Sequence, residues 1–136
     1  MFEKQFALEI ITPTGIVFHG EATSITAPGV LGGFQVLHNH APMLSALGIG
    51  EITVRDSQGQ EASYAVTSGF LEVKKNSVVV LADAAEHASQ INVDRANRAR
   101  DRATERVHSK NPDVDLERAK LSMVRALNRL RVAAKV

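Results

Sequence analysis

The chain has 136 residues, 44% hydrophobic and 23% charged, with sixteen Lys and Arg against fifteen Asp and Glu for a formal net charge of +1. This is the length of one domain plus a small appendage and the composition of an ordinary globular chain, which excludes two full domains, wholesale disorder and collagen-like repeats. The longest fully apolar run, Val78 to Ala82, is too short for a membrane span, Met1-Phe2-Glu3-Lys4 does not open a signal peptide, and the lack of cysteine removes disulfides, thiolate zinc sites and Cys nucleophiles. A soluble protein of a reducing compartment is expected.

In chain order, short β-rich runs come first: Phe6 to Thr12, Ile16 to His19, Thr23 to Ala27, Phe34 to Leu37, Glu51 to Arg55, Ala62 to Thr67, Phe70 to Val73 and Val78 to Ala82. Period-two alternation is clearest at Phe6/Leu8/Ile10, Ile52/Val54 and Ala62/Tyr64/Val66. Thr14-Gly15, Pro28-Gly29, Asp56-Ser57-Gln58-Gly59 and Lys75-Asn76 separate the runs and supply the positive φ or Asx chemistry of tight turns. Such closely spaced strands leave no room for crossover helices and read as an all-β sandwich or barrel rather than a parallel α/β sheet. Phe2, Phe6, Phe18, Phe34, Tyr64 and Phe70 all fall in this part, so the large core belongs to it alone.

After about Ala84 the period changes. Ala96, Ala99, Ala103 and Val107 mark one helical stripe, and Leu116, Ala119, Met123, Leu127, Leu130 and Ala134 mark a second. Asn92 is positioned to cap the first helix and Asp113 or Asp115 the second, while Ser109-Lys110-Asn111-Pro112 breaks the chain between them into an antiparallel hairpin. The mostly Ala stripes bury little apolar area at ~25 cal/mol per Å², so a hairpin able to detach from the β part and redock is expected. Charge divides at the same place: residues 1–93 carry four Lys and Arg against nine acids, a net −5, and residues 94–136 carry twelve against six, a net +6.

No phosphate-binding Gly-Lys-Ser/Thr loop, zinc-protease helix or nucleophile elbow is present, and a stand-alone enzyme is disfavoured. Gly29-Val30-Leu31-Gly32-Gly33 lacks the helix and lysine that would cradle phosphate and reads as a β-turn. His38-Asn39-His40 lacks a third metal ligand and reads as a loop whose polar side chains fix its own backbone. Nine of the ten arginines lie between Arg95 and Arg131. Arg95, Arg98, Arg102 and Arg106 share one helix face, and Arg118, Arg125 and Arg129 another. These faces are either solvated surface partly paired with Asp101, Glu105 and Glu117, or contacts for an acidic protein, a nucleotide phosphate or nucleic acid. Nucleic acid is the weakest reading, because the helices carry no aromatic residue for stacking.

Several segments in order resemble the epsilon subunit of F-type ATP synthase, the bacterial and chloroplast type. They are Leu8-Glu9-Ile10-Ile11-Thr12-Pro13-Thr14-Gly15, His40-Ala41-Pro42-Met43-Leu44, Ser68-Gly69-Phe70-Leu71-Glu72-Val73, Ala82-Asp83-Ala84-Ala85-Glu86 and Arg125-Ala126-Leu127-Asn128-Arg129-Leu130. The resemblance runs essentially end to end. It implies an N-terminal antiparallel β-sandwich of about ten strands over residues 1–86 and a C-terminal antiparallel two-helix hairpin over residues 87–136. It further implies a non-catalytic central-stalk subunit of a proton-translocating enzyme, with no metal. The β domain would contact the gamma subunit and the c-ring, and the mobile hairpin would restrain ATP hydrolysis in the head of alpha and beta subunits. The same resemblance implies the cytoplasmic face of the bacterial inner membrane, with the stromal side of the thylakoid as the alternative.

Residue by residue, the resemblance places a regulatory ATP site at Glu86, Ile91, Asn92, Arg95, Ala96, Arg102, Arg125 and Arg129. Asn92 stands where the family has Asp: the cap survives this change, and the carboxylate charge does not. Asp94 lies ~200° away around the helix and faces elsewhere. ATP as sensor ligand, without strong inhibition, is the alternative function. Inhibitory contacts fall to Arg98, Arg118, Arg125 and Arg129. The c-ring and gamma side falls to Gly33, Phe34, Gln35, His38, His40 and Pro42, where His38-Asn39 replaces the family's Pro-Gly, and Asn39 is expected to supply the positive φ of that turn.

Overall fold

The structure, a computed structural model, describes residues 4–135; Phe2 and the outermost residues of both expected domains lie outside them. Ten strands come first: β1 (Phe6–Thr12), β2 (Gly15–Ala22), β3 (Ser24–Gly29), β4 (Gly32–Leu37), β5 (Met43–Leu47), β6 (Gly50–Arg55), β7 (Glu61–Val66), β8 (Gly69–Lys74), β9 (Ser77–Ala82) and β10 (Ala85–His87). A 3-10 turn at Ala88–Gln90 leads into helices α1 (Val93–Val107) and α2 (Leu116–Ala133). The chain separates into two compact units, Met1–His87 and Ala88–Val136.

The first unit is a sandwich. One layer has the order β4-β3-β6-β7-β10 and the other β5-β8-β9-β1-β2; among the described residues the layers are joined by the single pair Gly29 with Leu47. Their far edges, β10 and β2, also touch, so the sheet nearly closes on itself. The alternating residues fill its inside: Phe6, Leu8, Ile10, Ile52, Val54, Tyr64 and Val66 are buried in one core with Ile25, Val36, Leu71 and Val80. Turn chemistry follows the sequence. Lys75 and Asn76 both have positive φ, as a two-residue hairpin turn requires, and Asp56 Oδ1 accepts from the Gln58 and Gln60 N–H groups, each at 2.9 Å.

The structure corrects the strand reading in several places. Met43–Leu47, absent from the β-rich runs read above, is β5. Its inward row is interrupted by Ser45 and its outward row carries Leu44, which inverts the alternation that would have marked it. The three-residue β10 continues the sheet past Ala84, and Thr67 lies beyond the end of β7. β1 pairs with β9 in parallel, unlike every other strand pair among the described residues, because the first strand enters between β9 and β2. Phe70 points out of the core, 53% exposed.

In the second unit, Asn92 Oδ1 accepts from Arg95 N–H at 3.0 Å and Asp115 Oδ1 from Arg118 N–H at 3.1 Å, the reach of an N-cap side chain to the third helical residue. Ala96 and Ala103 of α1 and Ala119 and Ala126 of α2 are buried where the helices pack. Small side chains allow close approach, and Thr104 Oγ1 reaches Met123 Sδ at 3.7 Å across the interface. Leu116, Leu127 and Ala134, assigned above to the inward stripe, are exposed, while Ala126, Asn128 and Val132 are buried. The inward face is rotated from the Leu positions onto alanines, and α2 packs on the Ala88–Gln90 turn as well as on α1.

Candidate functional site

The outer face of the β5-β8-β9-β1-β2 layer presents an apolar row. Strand register sets Ala46 opposite Phe70, Phe70 opposite Leu81, Leu81 opposite Ile11 and Ile11 opposite Ile16, crossing all five strands. Phe70, Leu81 and Ile16 are each more than half exposed, and Leu44 is exposed in the next row. A groove of about 600 Å³ lies along this row, with Ser68 and Asp83 at one end.

Local sequence explains how the row is held. Ser68 Oγ donates to Asp83 Oδ2 at 2.5 Å, and Asp83 N–H returns a bond to Ser68 O at 2.8 Å, clamping the start of β8 to the end of β9. Gly69 between them has φ +147°, and a Cβ there would lie 1.9 Å from Leu81 O. Only glycine allows β8 to begin this close to β9, which sends Phe70 outward beside Leu81. The row escaped sequence reasoning because each of its members sits in a different strand and only register brings them together.

The residues expected on the c-ring and gamma side fall on two stretches of chain, of which Gln35 and His38 line one pocket. Gly33, Phe34 and Gln35 lie on β4, an edge strand paired with β3, whereas His38, His40 and Pro42 lie in the connection beyond its far end. Phe34 packs against the core, and its ring closes on Gly29, where a Cβ would lie 2.9 Å from Cε1. His38 Nδ1 lies 3.0 Å from Gln5 O, and Asn76 Nδ2 donates to the same carbonyl at 2.9 Å. Asn39, with φ 60°, donates its N–H to Asn76 Oδ1 at 2.8 Å, and His40 Nδ1 lies 2.8 Å from Ala41 O. These polar side chains fix the loop's backbone. Among the described residues no group of three or more His, Asp or Glu is arranged to hold a metal. Gly29 and Gly32 close a β-turn that leaves Val30 61% and Leu31 101% exposed at its tip, a second apolar feature that the sequence reading passed over.

In the helical unit the arginines converge. Relative to the alanines on which the helices pack, Ala96 and Ala103 on α1 and Ala119 and Ala126 on α2, each basic stripe lies about 100° away at 3.6 residues per turn, and because the helices run antiparallel the two stripes emerge on the same side; on α2 the stripe is flanked by the buried Val132. The Thr104–Met123 contact sets the register and brings Arg102 level with Arg125 and Arg98 level with Arg129. Arg106 and Arg118 line one cleft of about 390 Å³ at the hairpin turn. Asp101 pairs with Arg100 at 3.2 Å and Glu117 with Lys120 at 4.0 Å, cations outside the stripes. Of the expected ATP-site residues, Ile91 and Ala96 are buried, Asn92 is the cap of α1, and Arg95, Arg102, Arg125 and Arg129 lie on this basic side; Glu86 lies on β10 in the other unit.

A family model for the beta-sandwich domain of the ATP synthase delta/epsilon chain matches residues 5–88, and one for its long alpha-helix domain matches residues 89–134. The ATP synthase epsilon chain of Desulforamulus reducens is 42% identical over 130 residues, covering 96% of this chain and 98% of the relative. The chain belongs to the ATP synthase epsilon family. Like others in the epsilon family, it is a non-catalytic subunit. The epsilon chain of Nitratidesulfovibrio vulgaris is 43% identical over 130 residues, covering 96% of both chains, and that of Syntrophomonas wolfei is 38% identical over 135 residues, covering 99% of this chain and 98% of the relative. The epsilon-family fold recurs in a chain of the Euglena gracilis mitochondrial ATP synthase structure, with a TM-score of 0.82 at 19% identity over 97% of this chain and 82% of that one. A chain of the Tetrahymena thermophila central stalk and c-ring structure gives 0.60 at 14% identity over 99% and 98%. At such identities the likeness is one of fold.

Proposed function

We propose that this chain is a central-stalk subunit that couples c-ring rotation to the catalytic head of a proton-translocating ATP synthase. Its β unit is the part seated on the gamma subunit and c-ring, and its hairpin regulates hydrolysis in the head of alpha and beta subunits. The observation that carries this reading is the apolar row from Ala46 to Ile16, more exposed aliphatic and aromatic surface than a sheet facing water needs. Such a row suits a broad, permanent protein contact, and its position on a rigid sheet suits transmission of torque. Val30 and Leu31, at the end of the same unit, supply a smaller apolar contact for the ring side. The hairpin suits regulation because its Ala-lined interface is small while its basic side, in a segment of net +6, attracts acidic surfaces of the head.

ATP as regulatory ligand is the second reading. Its support is the shared basic side of Arg95, Arg102, Arg125 and Arg129; the Asn92 side-chain Oδ1 is engaged by Arg95 N–H as the helix cap. Residence on the cytoplasmic face of the inner membrane, attached through the complex, follows from the rotor reading and is part of the proposal. No helix among the described residues is long and apolar enough to cross a membrane.

The test is the hydrolysis rate of an alpha, beta and gamma subcomplex titrated with the full chain and with a truncation after Ser89, which retains the β unit. The full chain lowers the rate, and the truncation binds without lowering it. If neither form binds gamma, the rotor reading falls. Calorimetry of the full chain with millimolar ATP tests the second reading, and no heat removes it.

A further inference from the structure

The net −5 of the β part conceals a segregation of charge. Its Lys and Arg residues are Lys4, Arg55, Lys74 and Lys75. Strand directions place all four at one end of the sandwich: ahead of β1, at the close of β6 and in the β8–β9 turn. Two of them, Lys4 and Arg55, converge with His38 on a pocket of about 300 Å³ that is completed by Ser24, Gln35 and Leu37 and floored by Thr23.

The sheet builds this pocket. Ser24 pairs with Leu37 on one side and Arg55 on the other, and since Ile25, Val36 and Val54 face the core, Ser24, Leu37 and Arg55 all face outward. Thr23, 5% exposed, fixes the backbone beneath Arg55: its N–H donates to Arg55 O at 2.8 Å and its hydroxyl to Arg55 O and Asp56 O, each at 3.2 Å. His38 is held through Nδ1, which must donate because Gln5 O can only accept, so its Nε2 is an acceptor in the neutral ring and the pocket's donors come from the other residues. The acids nearby compete weakly. Glu61 meets Arg55 at 3.4 Å in a pair in which both side chains are about half exposed, the kind that contributes little, and Asp56 Oδ1 is engaged by two backbone N–H groups.

We propose that this pocket binds a phosphate group. The guanidinium of Arg55 supplies two parallel N–H donors matched to two phosphate oxygens, Lys4 supplies a mobile positive charge, and the Ser24 hydroxyl and Gln35 amide serve the remaining oxygens. A carboxylate would be satisfied by Arg55 alone; the additional donors suit an anion with three or four oxygens. Leu37, 52% exposed at the rim, accommodates the organic part of a phosphate ester. The source of the phosphate is either a free ion or soluble ester, or a phospholipid headgroup.

The full chain, labelled with nitrogen-15, is titrated with inorganic phosphate at constant ionic strength, and separately mixed with phosphatidylglycerol vesicles. Saturable amide shifts at Ser24, Gln35 and Arg55 are expected, with affinity at least tenfold lower in Arg55→Gln and reduced in Lys4→Gln, which serves if the first variant does not fold. Shifts with phosphate alone assign a soluble ligand, and shifts or sedimentation with vesicles alone assign a headgroup. Shifts that chloride reproduces, shifts unchanged in a folded variant, or no response to either probe overturn the proposal.

Discussion

At Gly69, backbone and side-chain geometry meet at a single residue. A methyl group there collides with Leu81 O at 1.9 Å in a backbone conformation that L-residues avoid, so Gly69→Ala lowers stability by ~3 kcal/mol or prevents folding, read as a shift of the urea midpoint. Asn92→Ala removes one cap bond and lowers stability by ~1 kcal/mol, visible as lost helical signal, whereas Asn92→Asp keeps the helix. Tyr64 is a third such residue. Burial pushes its phenol above the ordinary value of 10.0, and the His87 ring packs edge-on against it with ring centroids 5.2 Å apart. A folded state that resists ionisation binds more protons than the unfolded chain once pH exceeds 10, so stability is full below that value and declines above it. Tyr64→Phe flattens this alkaline decline in denaturation curves taken from pH 9 to 11.

Among the elements, the apolar row is a property of register, and its consequence is separable from folding. Phe70 and Leu81 are more than half exposed, so Phe70→Ser with Leu81→Ser leaves the circular dichroism and melting of the free chain nearly unchanged and weakens association with gamma at least tenfold. Retained association would move the contact elsewhere on the unit. The same distinction separates what could be read in the sequence from what could not. β1 was legible to the residue because Phe6, Leu8 and Ile10 alternate strictly with outward positions, and the helix caps were legible within three residues of themselves, Asn92 directly and Asp115 as one of two candidates with Asp113. β5 was lost where Ser45 faces inward and Leu44 outward, the parallel β1–β9 pairing has no local signal, and the inward face of α2 was misplaced onto Leu127 because buried alanines carry little hydropathy. The family resemblance supplied the strand count that these gaps withheld, and it named Asn92 as a departure; the residues it grouped from Gly33 to Pro42 are spread over β4 and the connection that follows it.

For the whole molecule, the proposed regulation, if it runs through the basic hairpin segment of net +6, is sensitive to salt. Raising ionic strength from about 0.05 to about 0.5 M shortens the Debye length severalfold, so inhibition by the full chain weakens while the apolar attachment of the β unit persists. Inhibition that does not change over this range would mean that the basic side is not what engages the head. Arg102→Glu together with Arg125→Glu reproduces the effect of salt at low ionic strength.

The merging of two arginine stripes on one side of the antiparallel hairpin has a consequence for which ligands can hold it shut. While α1 and α2 lie together, Arg102 and Arg125 are level, and the local density of positive charge is about twice that of either helix alone. Swinging the helices apart disperses it. An anion carrying several charges can bridge both stripes and acts as a staple on the closed hairpin, whereas a monovalent ion binds each stripe separately and gains nothing from closure. If the hairpin binds an anionic regulator as proposed above, valence, more than chemical identity, decides how firmly that ligand holds it shut.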